Sequence, residues 1–186
     1  AVFSRFYAAG SVCSPTRASV MTGRHPARMG ICSANCGHIK DQEITLAEMV
    51  KEKGYRTGHF GKWHLGDNYP SRPSDQGFDE SLIHLAGGIG QVGDFTNYFK
   101  MGTSYFDPVL WHNNQQKAYT GYCSDIFTDN AIDFIEKNQE EPFFCYLSFN
   151  APHTPLQVPD KYYQRYKNID PSEGIDAHLM PEAKLT

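Results

Sequence analysis

Five residues have the types and spacing to do chemistry together: Cys13, Arg17, Lys62, His64 and His153. Cys13 opens the run Cys-Ser-Pro-Thr-Arg, which reads as the start of a helix. Pro15 suits a first helical turn, where a missing N–H costs nothing. Ser14 is expected to cap that turn, and Gly23 to end the helix in the left-handed conformation. A cysteine at the positive end of a helix is an activated nucleophile beside a site able to hold an anion. Arg17 lies one turn on, on the same face. Lys62 and His64 are two residues apart, so in an extended segment they share a face. Lys62 offers a point charge for an anion, and His64 a group able to move a proton near neutral pH. His153 stands between Pro152 and Pro155, which stiffen its loop. Trp63 faces away from Lys62 and His64 and reads as packing.

These residues need a scaffold, and the chain predicts one. Residues 2–7 alternate loosely and read as a short strand leading toward Cys13. Residues 24–43 show no clear period and read as loop. Thr45 and Glu48 form a capping box for a helix through Met49, Val50 and Lys53, which Gly54 ends. Tyr55–Phe60 then reads as a strand with Gly61–His64 at its end. Helix, glycine, strand and functional turn is the α/β pattern in which ligands bind at the carboxyl ends of strands. Ser124 or Asp125 is expected to cap a helix whose apolar residues Ile126, Phe127, Ala131, Ile132, Phe134 and Ile135 have helical spacing. Phe143–Phe149 is a continuous apolar run, as in a strand buried on both faces, and it delivers Asn150–His153. A short helix after Pro159 carries Tyr162, Tyr163 and Tyr166.

The stretch 67–122 is rich in Gly, Asn, Asp, Pro and Tyr. It is too long to be structureless in a compact domain and is expected to hold small strands, helices and substrate-facing loops. Asp94, Tyr98 and Trp111 are its candidates for shaping substrate choice.

Composition narrows the class. The chain has 186 residues, 40% apolar and 13% aromatic, with a net charge of −4. That suits a globular domain with a sizeable core and leaves no basic cluster for nucleic acid. No apolar run approaches the length needed to cross a bilayer. Of five cysteines, Cys32, Cys36, Cys123 and Cys145 remain to pair if Cys13 is modified. Cys145 alternatively reads as a buried thiol. Cys32 and Cys36 with His38 lack a second matching pair for a zinc site.

Cys13-x-Pro15-x-Arg17, continued by Met21–Pro26, then Gly58–Gly66, then Ala151–Pro155, resembles the type I sulfatases of the arylsulfatase A kind. The resemblance covers roughly residues 1–165. It implies an alkaline-phosphatase-like α/β fold, with a mixed central sheet flanked by helices. Residues 1–186 would be part of the N-terminal catalytic domain, truncated at both ends, with 67–122 a variable substrate-side insert. The activity implied is hydrolysis of a sulfate ester to an alcohol and inorganic sulfate. Cys13 would be oxidised by a formylglycine-generating enzyme, and its hydrate would attack sulfur. The second hydroxyl would then expel sulfate.

Arg17 would hold the hydrate and Lys62 a sulfate oxygen. His64 would assist sulfate release. His153 would bind sulfate and assist the leaving oxygen. The family's divalent cation, usually calcium, takes hard oxygen ligands. Here only Cys13 would touch it, the acidic pairs and a second lysine lying outside this chain. Asp129-Asn130 falls in a predicted helix in the wrong order and is not assigned. The resemblance also implies an exported protein, periplasmic, extracellular or lysosome-like, acting on a sulfated glycan or aryl sulfate. A phosphonate monoester hydrolase or phosphodiesterase of the same superfamily, a sulfated-glycan binder without turnover, and a thiol enzyme using Cys13 and His64 directly are the alternatives.

Overall fold

The computed structural model describes residues 2–34, 38–100 and 102–170. Its centre is a five-stranded sheet: β1 Arg56–Lys62, β2 Glu80–His84, β3 Val109–His112, β4 Gln115–Ala118 and β5 Phe143–Ser148. The order across the sheet is β4-β3-β2-β1-β5. β1 runs parallel to both β2 and β5, while β3 and β4 are antiparallel additions. The sheet is therefore mixed, and the carboxyl ends of β1, β2 and β5 lie together.

Alternation along the strands splits the core into two faces. Phe60 and Leu82 pack with Ile126, Phe127, Ala131 and Phe134 of the long helix Cys123–Lys137. Ile83 and Trp63 pack on the other side with Ala18, Met21 and Ala47. Those come from α1 Cys13–Thr22 and α3 Leu46–Lys51. Helix α2, Pro26–Met29, adds Met29 to the same layer. The long helix is α4, and α5 spans Asp160–Tyr166. Helices on both faces of a mixed sheet match the expected class.

Local signals decided several elements. The Thr45–Glu48 capping box forms in both directions. Gly23 ends α1 at φ +66°. Helix α3 stops at Lys51, with a turn continuing to Gly54 at φ +82°.

Other expectations are corrected. Residues 2–7 form no strand, because no described strand pairs with them, and their side chains are exposed. Within the 24–43 loop, Pro26 and the accepting His25 ring build α2. Neither Ser124 nor Asp125 caps α4, which begins at Cys123 after Tyr122 and has no side-chain cap. β5 is not buried on both faces. Among the described residues it pairs with β1 alone, and most of its side chains are half-buried.

Cys32, Cys123 and Cys145 are free thiols, with no pairing among them, and Cys36 lies outside the described residues. Burial pushes the Cys123 thiol up to about 12, as expected of a structural cysteine. The stretch 67–122 is partly core, since β2 sits mid-sheet and is almost wholly buried. No helix among the described residues is long and apolar enough to cross a membrane.

Candidate active site

Strand β1 ends on Lys62, and the chain beyond it stays tied to β2. Trp63 N–H donates to the His84 carbonyl at 3.2 Å, and His64 N–H to Leu85 at 3.1 Å. Gly61 permits this exit. Its φ is +122°, and a Cβ there would lie 1.9 Å from the Ser148 carbonyl oxygen. Only glycine suits both demands.

The Lys62 carbonyl is a convergence point. Arg17 Nη1 donates to it at 2.7 Å, and Ser148 Oγ at 2.8 Å. The Ser148 proton is thereby committed, so His59 Nε2–H is the donor in the 3.0 Å contact with Ser148 Oγ. The Lys62 ammonium donates to the Gly87 carbonyl. Burial lowers the Lys62 pKa to about 8, opposed first by the nearby Cys13 side chain. Arg17 is lowered by burial too, with Tyr146 and Cys13 acting the other way.

His64 holds a left-handed backbone, φ +59°. That is rare for a residue with a Cβ and is concentrated at functional sites. Its carbonyl accepts from Ser14 Oγ at 3.0 Å. This corrects the expected role of Ser14. The N-cap of α1 is Val12, and Ser14, inside the first turn, spends its hydroxyl on β1. Burial first, then Lys62, Arg17 and His153, push the His64 pKa to about 4. The imidazole is therefore neutral at pH 7 and able to accept a proton.

His153 follows β5. Its carbonyl accepts from Tyr105 OH at 2.6 Å, and Asn150 Nδ2 donates to the same hydroxyl. Its Nδ1 lies 2.8 Å from the Thr154 carbonyl, which can only accept, so Nδ1 carries the proton. The Gly88 backbone passes so close that a Cβ there would sit 3.0 Å from His153 Nδ1. The loop Gly87–Gly88 thus stands between Lys62 and His153.

Cys13, Arg17, Lys62, His64 and His153 are brought together from three parts of the chain. Among the described residues, no carboxylate is among the groups that shift Arg17, Lys62 or His64. Such a concentration of positive charge around one thiol suits a dianionic group. Trp63 points into the core, as its place between Lys62 and His64 implied, and Nε1 donates to the Ser71 carbonyl at 2.8 Å.

Among the described residues, no group of three or more His, Cys, Asp or Glu could hold a metal ion. A calcium ion, which prefers several hard oxygens, therefore does not fit on these residues alone. Asp129 and Asn130 lie on α4, where Asn130 Nδ2 bonds back to Ile126 at 2.8 Å.

The three substrate-shaping candidates take different places. Asp94 is buried and accepts from Gly90 N–H and Thr96. Trp111 packs under the sheet beside the Trp63 cluster. Tyr98, partly exposed, has its ring against Phe99. Sequence reasoning left out His59, Ser148, Gly87 and Tyr105. Their roles depend on the parallel register that sets β1 between β2 and β5, for which no local sequence signal exists.

The family model described as Sulfatase matches residues 1–182. An arylsulfatase of Hemicentrotus pulcherrimus is 34% identical over 177 residues, 86% of this chain and 32% of its own length. The Homo sapiens N-acetylgalactosamine-6-sulfatase is 30% identical, covering 97% of this chain and 40% of its own. The chain thus spans less than half the length of these relatives. Among solved structures, Ps i-CgsB in complex with k-i-k-neocarrahexaose is 33% identical with a TM-score of 0.75. It covers 88% of this chain and 40% of that one. BT4656, in complex with its substrate D-glucosamine-2-N,6-O-disulfate, is 25% identical with a TM-score of 0.68, over 88% and 29%.

Proposed function

Since the chain belongs to the sulfatase family, we propose that it is the nucleophile-bearing part of a longer sulfuric ester hydrolase. The observation that carries this reading is the meeting of Cys13 with Arg17, Lys62, His64 and His153, with no carboxylate among the described residues acting on Arg17, Lys62 or His64. In its formylglycine form, Cys13 would supply a hydrated aldehyde, one oxygen for attack on sulfur and one for release of sulfate. Maturation would need a formylglycine-generating enzyme and an exported compartment. The remaining ligands of a calcium ion, and a second lysine, would come from sequence outside this chain.

The chain's own residues divide the remaining work. Lys62, whose ammonium rests on the Gly87 carbonyl, turns that ammonium to donate a hydrogen bond to a sulfate oxygen. Arg17 holds the Lys62 main chain and offsets charge near Cys13. His64, neutral at working pH, accepts a proton when sulfate leaves. His153, whose Nδ1–H is held on the Thr154 carbonyl, binds the sulfate and assists the ester oxygen through Nε2, which must carry a second proton for that step. Fixed donors aimed at developing charge supply the largest share of such catalysis. The substrate would be a sulfated glycan or an aryl sulfate.

The first test is the mass of the tryptic peptide Phe6–Arg17 from the full-length protein co-expressed with a formylglycine-generating enzyme. Conversion lowers it by about 18 Da, a covalent change that redefines the site. Turnover of an aryl sulfate well above the matching aryl phosphodiester supports the sulfatase assignment. An unconverted peptide, with the modifying enzyme shown active, overturns the formylglycine mechanism.

A further inference from the structure

A cavity of about 580 Å³ opens beside His64 and Ser14 and is walled by two loops. One wall is Gly66–Tyr69, which leaves the site directly after His64. The other runs from Gly87, the acceptor for Lys62, to Gly93. Both walls are braced from behind. Ser71 holds the first through Trp63 Nε1 at 2.8 Å and through its own hydroxyl on Ile39 at 2.6 Å. A Cβ on Gly66 would lie 2.3 Å from Ser71 Cβ, so the backbone is packed tight there. Asp94 holds the second wall through Gly90 N–H at 2.8 Å and Thr96 Oγ1 at 2.6 Å. A cavity fixed in this way is organised before a ligand arrives.

Among the described lining residues, Asp67 is the one carboxylate. It has no ion-pair partner among them, and although its side chain is exposed at the rim, partial desolvation by the cavity walls raises its carboxyl above the usual range. Beside it the Tyr69 ring is 78% exposed. An ionised carboxylate only accepts hydrogen bonds. It welcomes hydroxyl or ammonium donors and repels another anion. An exposed phenol ring beside it gives an apolar surface on which a ring-shaped ligand can lie.

Resting on the sulfatase reading above, we propose that this cavity is the leaving-group subsite. Asp67 makes it selective for a ring whose substituent next to the sulfate is a hydroxyl or an ammonium, not a second anion. In glycan terms the ligand is a sugar sulfated once at that end, its ring laid on Tyr69. The cationic cluster draws the sulfate, and Asp67 sets a limit on negative charge one substituent away.

The test is equilibrium binding to the full-length Cys13→Ala protein, which removes turnover from the measurement. The probes are three 4-nitrophenyl sulfates carrying hydroxymethyl, aminomethyl or sulfonate at the 2-position. The expected result is a Kd for the sulfonate at least about tenfold weaker than for the other two, roughly 1.4 kcal/mol. Asp67→Asn should bring the three within about threefold, and Tyr69→Ala should weaken all three together. A ratio that Asp67→Asn does not move overturns the proposal, as does failure of all three to bind. Steady-state rates of the unmutated protein on the same probes keep the two readings apart. Charge-selective binding without hydrolysis leaves the subsite standing and counts against the sulfatase assignment.

Discussion

Arg17 is fastened to the main chain of Lys62 and not to a carboxylate: its Nη1 donates to the Lys62 carbonyl at 2.7 Å. The guanidinium can therefore keep its full charge for the site while fixing where the neighbouring ammonium starts. Arg17→Lys keeps a charge but loses the planar fork, so it is not conservative here. The expected loss is about 100-fold in kcat/KM on an aryl sulfate, on the scale of one missing donor to a developing oxyanion. Steady-state kinetics on the full-length protein checks it, and retention of rate within threefold would sink the assignment.

The same carbonyl is held by Ser148. Ser148→Ala removes that bond and leaves the His59 Nε2–H without its acceptor in a fully buried place. Unmaking a buried hydrogen bond in this way costs about 1–3 kcal/mol. Urea unfolding of the full-length protein should show that loss. A change below about 0.5 kcal/mol would mean the His59–Ser148 link is dispensable.

Two glycines with positive φ should respond very differently to alanine. At Gly23 a Cβ meets nothing within 4 Å. Gly23→Ala then costs only the left-handed backbone term, about 1–2 kcal/mol. At Gly61 the Cβ would lie 1.9 Å from the Ser148 carbonyl. The main chain itself must move, so Gly61→Ala should cost more than about 3 kcal/mol. Soluble yield and unfolding midpoints of the two variants, measured side by side, decide it.

Two buried histidines should make the fold acid-labile. His59 is pushed down to about 3, first by burial and then by Arg17. His84 is held well below 6.5 by burial, then by Lys62, Arg17, His64 and His59, and neither of its ring nitrogens has a hydrogen-bond partner. Below pH 6.5 the unfolded chain takes up protons on both rings and the folded chain does not. Stability is therefore complete above about pH 6.5 and falls as pH drops toward 3. The slope is about 1.4 kcal/mol per pH unit for each ring. Urea midpoints between pH 4.5 and 7.5 test this. His84→Leu should remove its share of the slope, and an unchanged slope would contradict the assignment.

Much of the site could be read directly from the chain because its residues announce themselves locally. Cys13 and Arg17 lie one helical turn apart, and Lys62 and His64 flank a buried tryptophan at the end of a strand. The capping box at Thr45 needs only four residues to be visible. What escaped was whatever depends on distant partners. Ser14 looks like a cap by sequence, yet a carbonyl fifty residues away wins its hydroxyl. Phe143–Ser148 looks like an interior strand because its composition is apolar, but burial depends on neighbours, and among the described residues β5 has one. His59 and His84 carry no local signal of their place. Only the β1–β2 and β1–β5 registers, His59 opposite Ser81 and Tyr146 and Lys62 opposite His84, place them under the charged groups.

Trp63 ties these requirements into one. Its ring is sunk in the core and bonded to Ser71, while Lys62 before it reaches the Gly87 carbonyl and His64 after it lies near Arg17 and His153. A change there shifts both neighbours and loosens the wall that Ser71 supports, so folding and chemistry must fail together. Asp67 and Tyr69 sit beyond that anchor, with their side chains at the rim of the cavity. In a diverging lineage the rim can be rewritten one residue at a time while Lys62 and His64, set by the anchor, are inherited unchanged.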